Sequence, residues 1–298
     1  MKAKLILPMI LLNMLGGVGS GIMVYISGGN PVWVGALLAT LPLPFFLMVL
    51  TNVFSISRTS ERLPVIQAVN FIGVALVAYS TYSNQAPISL PQYIPIAAAA
   101  LGFISLHWYI WSFSVYNRKK SKAISKGQKL PEMNFNRLDK TSVSSTSFDE
   151  SKTLLVFFRA NWCPFCMNQL KEVKKYAETL KQYDVKVKFI SNQGYDNSRK
   201  LADKLDLPGH FEILQDDNLM GAKALGIEDI GGSPAGMPGY PKDTVMATVI
   251  ALDEGGKVLF GDETDNYRRR PNPTTFLHVF ADSAPQLEKD KPTFKSIA

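Results

Sequence analysis

The first 117 residues carry only Lys2, Lys4, Arg58, Glu61 and Arg62 as charged side chains, although the 298-residue chain holds 32 basic and 25 acidic groups. A stretch so poor in charge cannot supply the solvated outer face of an ordinary globular domain. Four apolar segments can be drawn in it, roughly Leu5–Ser27, Val32–Phe54, Leu63–Tyr82 and Tyr93–Val115. Each is about the length of a helix that crosses the hydrocarbon core. A cleavable signal peptide explains at most the first of them. Basic residues precede the first segment, separate the second from the third, and follow the fourth from Arg118 to Lys129, whereas the links Gly28–Pro31 and Ser83–Gln92 are uncharged. If all four segments cross, every basic flank falls on one side, which puts both ends of the chain in the cytoplasm. The expectation is an all-α four-helix transmembrane region over 1–117, an integral protein of a bacterial inner membrane with a cytoplasmic soluble part. Membrane lipid is then a partner. The net charge of +7 does not argue for nucleic acid, because part of the surplus is spent on these flanks. Gly16, Gly17, Gly19 and Gly21 suggest close helix packing in the first span, and Pro42 and Pro44 a kink in the second. His107, among Trp108, Tyr109 and Trp111, reads as an interfacial or packing histidine.

Both cysteines lie two residues apart in Arg159-Ala160-Asn161-Trp162-Cys163-Pro164-Phe165-Cys166. The apolar run Thr153–Phe158 before them reads as a buried strand, and Met167–Lys181 after them as an amphipathic helix. Cys163 then sits at a helix N-terminus, where unpaired N–H groups and the helix dipole favour a thiolate. Pro164 suits the first helical position. Cys166, one turn on, is placed to resolve a mixed disulfide. The competing readings are half of a zinc site, which lacks a second ligand pair, and two inert buried cysteines. His107, His210 and His278 have no ligand spacing to the pair, so no metal and no cofactor is expected. One cysteine pair also leaves no structural disulfide framework.

Residues 118–130 read as a basic linker lying against anionic headgroups, 131–282 as a folded domain and 283–298 as a tail. Within the domain, strands are expected at Val185–Ser191, Phe211–Leu214 and Val245–Leu252, with a hairpin through Asp253–Gly256 into Lys257–Phe260. Helices are expected at Asn197–Leu205, Asn218–Leu225 and Pro273–Asp282. Thr141–Ser147 reads as a polar loop, and Gly231–Pro241 as a Gly/Pro-rich loop able to rim or cover the dithiol. Arg268-Arg269-Arg270 reads foremost as a solvated basic turn, with an anion site as the alternative. Alternating strands and helices argue an α/β sheet with helices on both faces.

From about Leu130 to Phe280 the chain resembles the thioredoxin fold in its alkyl hydroperoxide reductase / thiol-specific antioxidant (peroxiredoxin-like) branch. The resemblance is carried by Pro131-Glu132-Met133-Asn134-Phe135, the Trp162-Cys163-Pro164-Phe165-Cys166 segment after its strand, Leu214-Gln215-Asp216 followed by Ala222–Ile227, and Thr264–Arg268. It implies a central mixed sheet flanked by helices, with Trp162 packed beside the dithiol. Three departures accompany it. The peroxidatic pattern Pro-x-x-x-Thr/Ser-x-x-Cys is absent: counting back from Cys163 meets Ala160 and Val156, and from Cys166 meets Cys163 and Arg159. Where thioredoxins carry a cis-proline facing the dithiol, this chain has Met246-Ala247-Thr248, for which a trans bond is expected. The family's buried acid corresponds to Phe157, which leaves Arg159 as the nearest group for tuning Cys163, or else as an exposed cation at a strand end.

The reading that follows is a membrane-anchored thiol–disulfide oxidoreductase. Cys163 and Cys166 are its catalytic pair, and Arg159, Trp162, Pro164, Met246, Ala247 and Thr248 are tuning or substrate-groove residues. Its partners are a protein or small-molecule disulfide and a cellular thiol reductant. Two alternatives stand beside it: a peroxiredoxin-like antioxidant enzyme reducing peroxide, and a redox-sensing docking subunit of a membrane complex.

Overall fold

A computed structural model describes residues 2–83, 93–234 and 237–283, so the 84–92 link and the 284–298 tail lie outside the described residues. The chain divides into two compact units, one of residues 1–116 with 233–238, the other of 117–232 with 239–298.

The first unit is helical. It comprises α1 (Ala3–Ile26), α2 (Pro31–Thr40), α3 (Pro42–Phe45), a π-helical turn Phe46–Leu50, α4 (Thr51–Val53), α5 (Pro64–Ser83) and α6 (Tyr93–Trp108). Among the described residues, three helices, Ala3–Ile26, Pro64–Ser83 and Tyr93–Phe113, are long and apolar enough to cross a membrane. A fourth span results if Pro31–Thr40 and Pro42–Val53, bent by 43°, count as one. The bend has a chemical cause. Pro42 and Pro44 have no N–H for the carbonyls of Leu38 and Thr40, so the helical ladder is interrupted there. Beside the break, Asn70 Nδ2 donates to the Ala39 carbonyl at 2.7 Å. Of the first-span glycines, Gly17 packs closely, a Cβ there meeting Leu41 Cδ1 at 3.2 Å, and tighter approaches fall between other helices. A Cβ on Gly35 would meet the Gly73 carbonyl at 2.7 Å, and one on Gly73 would meet Ala39 N at 2.6 Å, whereas Gly19 has open space. Small residues therefore let α2 and α5 touch backbone to backbone. Asn13 Nδ2 ties α1 to α6 by donating to Ser105 Oγ at 2.8 Å.

The second unit is built on a seven-stranded mixed sheet. In chain order its strands are β1 (Asn134–Asn136), β2 (Ser142–Ser144), β3 (Lys152–Phe157), β4 (Val185–Ser191), β5 (Phe211–Gln215), β8 (Thr248–Leu252) and β9 (Val258–Asp262), while β6 (Glu228–Asp229) and β7 (Thr244–Val245) form a separate pair. The order across the sheet is β2-β1-β5-β4-β3-β8-β9. β3 runs parallel to β4 and antiparallel to β8, with Phe157 opposite Ile190 on one side and Thr248 on the other. All six residues of β3 are buried, as its position at the middle of a covered sheet requires. The flanking helices are α7 (Pro164–Lys175), α8 (Ala177–Gln182), α9 (Tyr195–Leu205), α10 (Met220–Leu225) and α11 (Pro273–Asp282). This is the α/β thioredoxin-like architecture, a mixed sheet flanked by helices.

Three details depart from the sequence reading. The helix expected over Met167–Lys181 is interrupted at Tyr176, which ends α7 and precedes α8. The strand expected over Val245–Leu252 is split, because Met246 N turns away to donate to the Ile227 carbonyl at 2.7 Å. Residues 118–130, read as a linker, lie along the edge of the sheet. Arg118 donates from its backbone N to Asp265 Oδ1 at 2.8 Å and from Nη2 to Thr248 Oγ1 at 2.9 Å. Ile124 is buried against Gly261, and Gly127 N donates to the Val258 carbonyl at 2.8 Å. An apolar residue inside a basic stretch draws it onto the domain.

Candidate active site

The dithiol stands where β3 gives way to α7. Cys163 is the N-cap of α7 with extended backbone, and Pro164 opens the helix. The N–H of Cys166 donates to Cys163 Sγ at 3.4 Å, so one orphan amide of the first turn is met by sulfur. Both cysteines are free thiols. They are also covered: Cys163 is 1% and Cys166 0% exposed.

Burial in apolar surroundings alone would leave two neutral thiols, but the cover is not apolar. Arg270, which precedes α11, reaches Cys166 Sγ with Nη2 at 3.5 Å. Arg159, at the end of β3, is 4% exposed, lies 3.6 Å from Asp229 Oδ2 and donates to the Gly232 carbonyl. Its guanidinium sits between aromatic faces, 4.8 Å from the Trp162 ring and 5.1 Å from Tyr267. Arg159 is thus a buried cation beside the dithiol rather than an exposed one. The expected solvated turn at Arg268-Arg269-Arg270 is corrected too, since Arg268 is fully buried and Arg270 is 7% exposed. From Asp262 to Pro271 every residue but Arg269 is buried or half-buried, so the turn folds inward.

The two thiols titrate as a pair. Burial pushes Cys163 well above its ordinary 9.0, and its hydrogen bond to Cys166 and the Cys166 charge add to the rise, against the opposing charges of Arg159 and Arg270. Burial acts on Cys166 in the same direction. There, however, the hydrogen bond from Cys163 and the charge of Arg270 outweigh it and bring the thiol down from 9.0 to about 6. At neutral pH the reduced pair holds one proton and one negative charge. The helix-dipole argument places that charge on Cys163, whereas the contacts place it on Cys166.

The loop carrying the dithiol is pinned from behind. Asn161 N donates to Gln193 Oε1 at 2.7 Å, Gln193 Nε2 donates to Ser198 Oγ at 3.1 Å, and Ser198 Oγ donates to Gln215 Oε1 at 3.2 Å. All three of these side chains are buried. The Arg159 carbonyl accepts from Thr244 Oγ1 at 2.8 Å and Ser191 Oγ at 3.2 Å. Both described ends of the Gly231–Pro241 loop are fastened next to this segment: Gly232 by Arg159, and Tyr240 by a hydroxyl donated to Asn161 Oδ1.

Of the expected groove residues, Ala247 is buried at 4% exposure. The Thr248 hydroxyl donates to the Met246 carbonyl at 2.8 Å and accepts from Arg118. No cis peptide occurs among the described residues. Sequence reasoning passed over Gln193 and Ser198, and took Arg270 only as part of a basic turn with an anion site as the alternative. Arg270 is 104 positions from the sulfur it touches, and the one signal available was the charge triplet beside Thr264–Arg268. Among the described residues no group of three or more His, Cys, Asp or Glu side chains is placed to hold a metal.

Residues 126–259 match the AhpC/TSA family. This chain carries an AhpC/TSA-family domain. That family comprises peroxiredoxin-like redox enzymes, and its match spans β1 to β8 together with the dithiol. No curated protein matches the chain. Solved structures similar to it include peroxidoxin BcpB from Mycobacterium tuberculosis (16% identity, TM-score 0.45, over 54% of this chain and 99% of that one). Reduced Prx3 from Vibrio vulnificus in complex with hydrogen peroxide is another (20%, 0.46, 53% and 99%). AhpC from Mycobacterium tuberculosis is a third (13%, 0.43, 54% and 98%).

Proposed function

We propose that this AhpC/TSA-family chain is a membrane-anchored thiol–disulfide oxidoreductase whose working group is the Cys163/Cys166 dithiol. The observation that carries the reading is the pair itself. Two free sulfurs stand one helical turn apart at the start of α7, joined by the 3.4 Å contact from Cys166 N to Cys163 Sγ and sharing one proton at neutral pH. A dithiol so placed needs little rearrangement to close into a disulfide, and a thiolate is the form that reacts. Arg159 and Trp162 form its wall, and Met246 and Ala247 lie in the break between β7 and β8, with Thr248 opening β8 beside β3. The helical region would anchor the domain in a bacterial inner membrane with the dithiol on the cytoplasmic side, where a cellular thiol reductant returns it to the reduced state. The test is disulfide reduction by full-length protein in detergent micelles, before and after Cys163→Ser. A variant that keeps full activity removes the reading. Labelling in intact cells with a membrane-impermeant thiol reagent checks the side.

Burial favours a second reading, in which the oxidant is a peroxide. Sulfurs 1% and 0% exposed admit a small molecule far more readily than a protein disulfide, which must reach sulfur in line. Peroxide consumption and insulin-disulfide reduction, measured on one sample, separate the two.

A further inference from the structure

The break after α2 frees carbonyl oxygens, and polar side chains from three other helices gather at the same level. Pro42 and Pro44 offer no N–H to the carbonyls of Leu38 and Thr40. Helical carbonyls point toward the C-terminal end, here toward Pro42 and Pro44. The glycine contacts fix what meets that end. A Cβ on Gly16 would meet Thr40 Cγ2 at 3.4 Å and one on Gly21 Leu37 Cδ1 at 3.8 Å, so α1 runs antiparallel to α2. Gly73 meets Ala39 and Gly35 meets Val77, so α5 does too. Asn13 and Asn70, which precede Gly16 and Gly73 by one turn, therefore lie toward the prolines. On α6 a Cβ at Gly102 would meet Thr40 Cα at 3.0 Å. Because α6 runs antiparallel to α1, with Ser105 against Asn13 and Ser112 against Lys2, Ser105 joins the same layer.

Asn13 and Asn70 are fully buried. Nδ2 of Asn13 donates to the Met9 carbonyl and to Ser105 Oγ, each at 2.8 Å, and Nδ2 of Asn70 donates to the Ala39 carbonyl at 2.7 Å. A carbonyl only accepts, so both amides are oriented and the atom left over on each is Oδ1. Among the described residues neither Oδ1 has a hydrogen-bond partner. Bare acceptors are costly in an apolar interior. We infer that this layer binds one dehydrated alkali-metal cation, held by Asn13 Oδ1, Asn70 Oδ1 and a carbonyl freed at the proline break.

The donor set selects the ion. Glu61 is the one acid of the first 117 residues, and it is exposed in the loop before α5. Calcium sites are built on carboxylates, whereas neutral carbonyl dipoles suffice for a monovalent ion that has shed its water. Oxygen ligands suit a hard cation. A discontinuous helix whose carbonyls turn into a polar layer is a recurrent way to hold such ions between membrane helices. The inference concerns the helical unit and stands apart from the dithiol reading.

The experiment uses full-length protein in detergent micelles, desalted into N-methylglucamine chloride. Sodium or potassium chloride is titrated in at constant total chloride, and hydrogen exchange is followed in peptides covering residues 9–17 and 66–77. Expected is a saturable slowing by the factor 1 + [ion]/Kd, about tenfold at a tenfold excess over Kd, and the stronger response names the ion. Asn13→Ala and Asn70→Leu should each remove it. Asn52→Ala should keep it, since Asn52 is exposed and donates to its own helix at Met48. Asn70→Asp, which puts a charge on the same oxygen, should move the midpoint to lower salt, and it decides the matter if an apolar variant does not fold. Exchange equal in all three salts means that the oxygens hold buried water only and overturns the inference. So does a response that survives in Asn70→Leu, or a midpoint that Asn70→Asp leaves unmoved. Closure of the Cys163–Cys166 disulfide is a separate measurement, so failure here leaves the proposed function standing.

Discussion

Replacing Arg270 by glutamine should make the dithiol a weaker oxidant at neutral pH, by an amount that the site sets. With Cys166 at about 6, one pH unit above that value the reduced protein is favoured about elevenfold over a fully protonated pair. That factor is about 1.4 kcal/mol, or about 30 mV for a two-electron couple. Stabilising the reduced form raises the potential, so losing Arg270 should lower the midpoint at pH 7 by up to about 30 mV. The pH dependence carries a second signature. Below about 6 both sulfurs of the reduced form bind protons, and the potential should fall by about 59 mV per pH unit. Above it, with Cys163 still protonated beyond 9.0, one proton accompanies two electrons and the slope halves to about 30 mV. Full-length protein is equilibrated in dithiothreitol redox buffers from pH 5 to 9, and its thiols are trapped with a polyethylene-glycol maleimide and scored by gel shift. A wild-type slope of about 59 mV per unit persisting through pH 8.5, or an Arg270→Gln midpoint equal to wild type, would refute the reasoning.

The same proton count sets stability. The depressed Cys166 contributes stability that is lost as pH falls through about 6, and the raised Cys163 one that is lost as pH rises above 9.0. Thermal resistance of the reduced domain to proteolysis should therefore climb from pH 6 toward 9 and decline beyond it, unlike that of the oxidised form. Gln193→Ala removes the acceptor of Asn161 N and the donor to Ser198. At about 1–3 kcal/mol for an orphaned buried group, hydrogen exchange across residues 159–166 should quicken by about fivefold or more; unchanged protection would show that the relay does not position the loop. Asn70→Leu removes the 2.7 Å bond to the Ala39 carbonyl beside the proline break. Its cost should be small, about 0.6 kcal/mol, readable as a slightly earlier loss of helix on titration with denaturing detergent.

Much of this protein follows from local rules. Four apolar segments of spanning length within 117 residues that carry five charges read as helices, each satisfying its own backbone. Leu154–Phe158 is uniformly apolar because β3 is covered on both faces, and Cys163-Pro164 starts a helix because proline needs no N–H there. Val185–Ser191 and Pro273–Asp282 were legible to the residue, since period and caps lie within the segments themselves. The electrostatics of the site were not. Charge in a sequence signals solvent unless something distant encloses it, and Arg268 and Arg270 are enclosed only when the segment before α11 folds back over the start of α7. A glycine's value likewise depends on which helix arrives: Gly35 and Gly73 meet across a contact, whereas Gly19 meets nothing. Local pattern decides what each segment becomes. Which of two sulfurs bears the charge depends on field and burial, and these come from residues far along the chain.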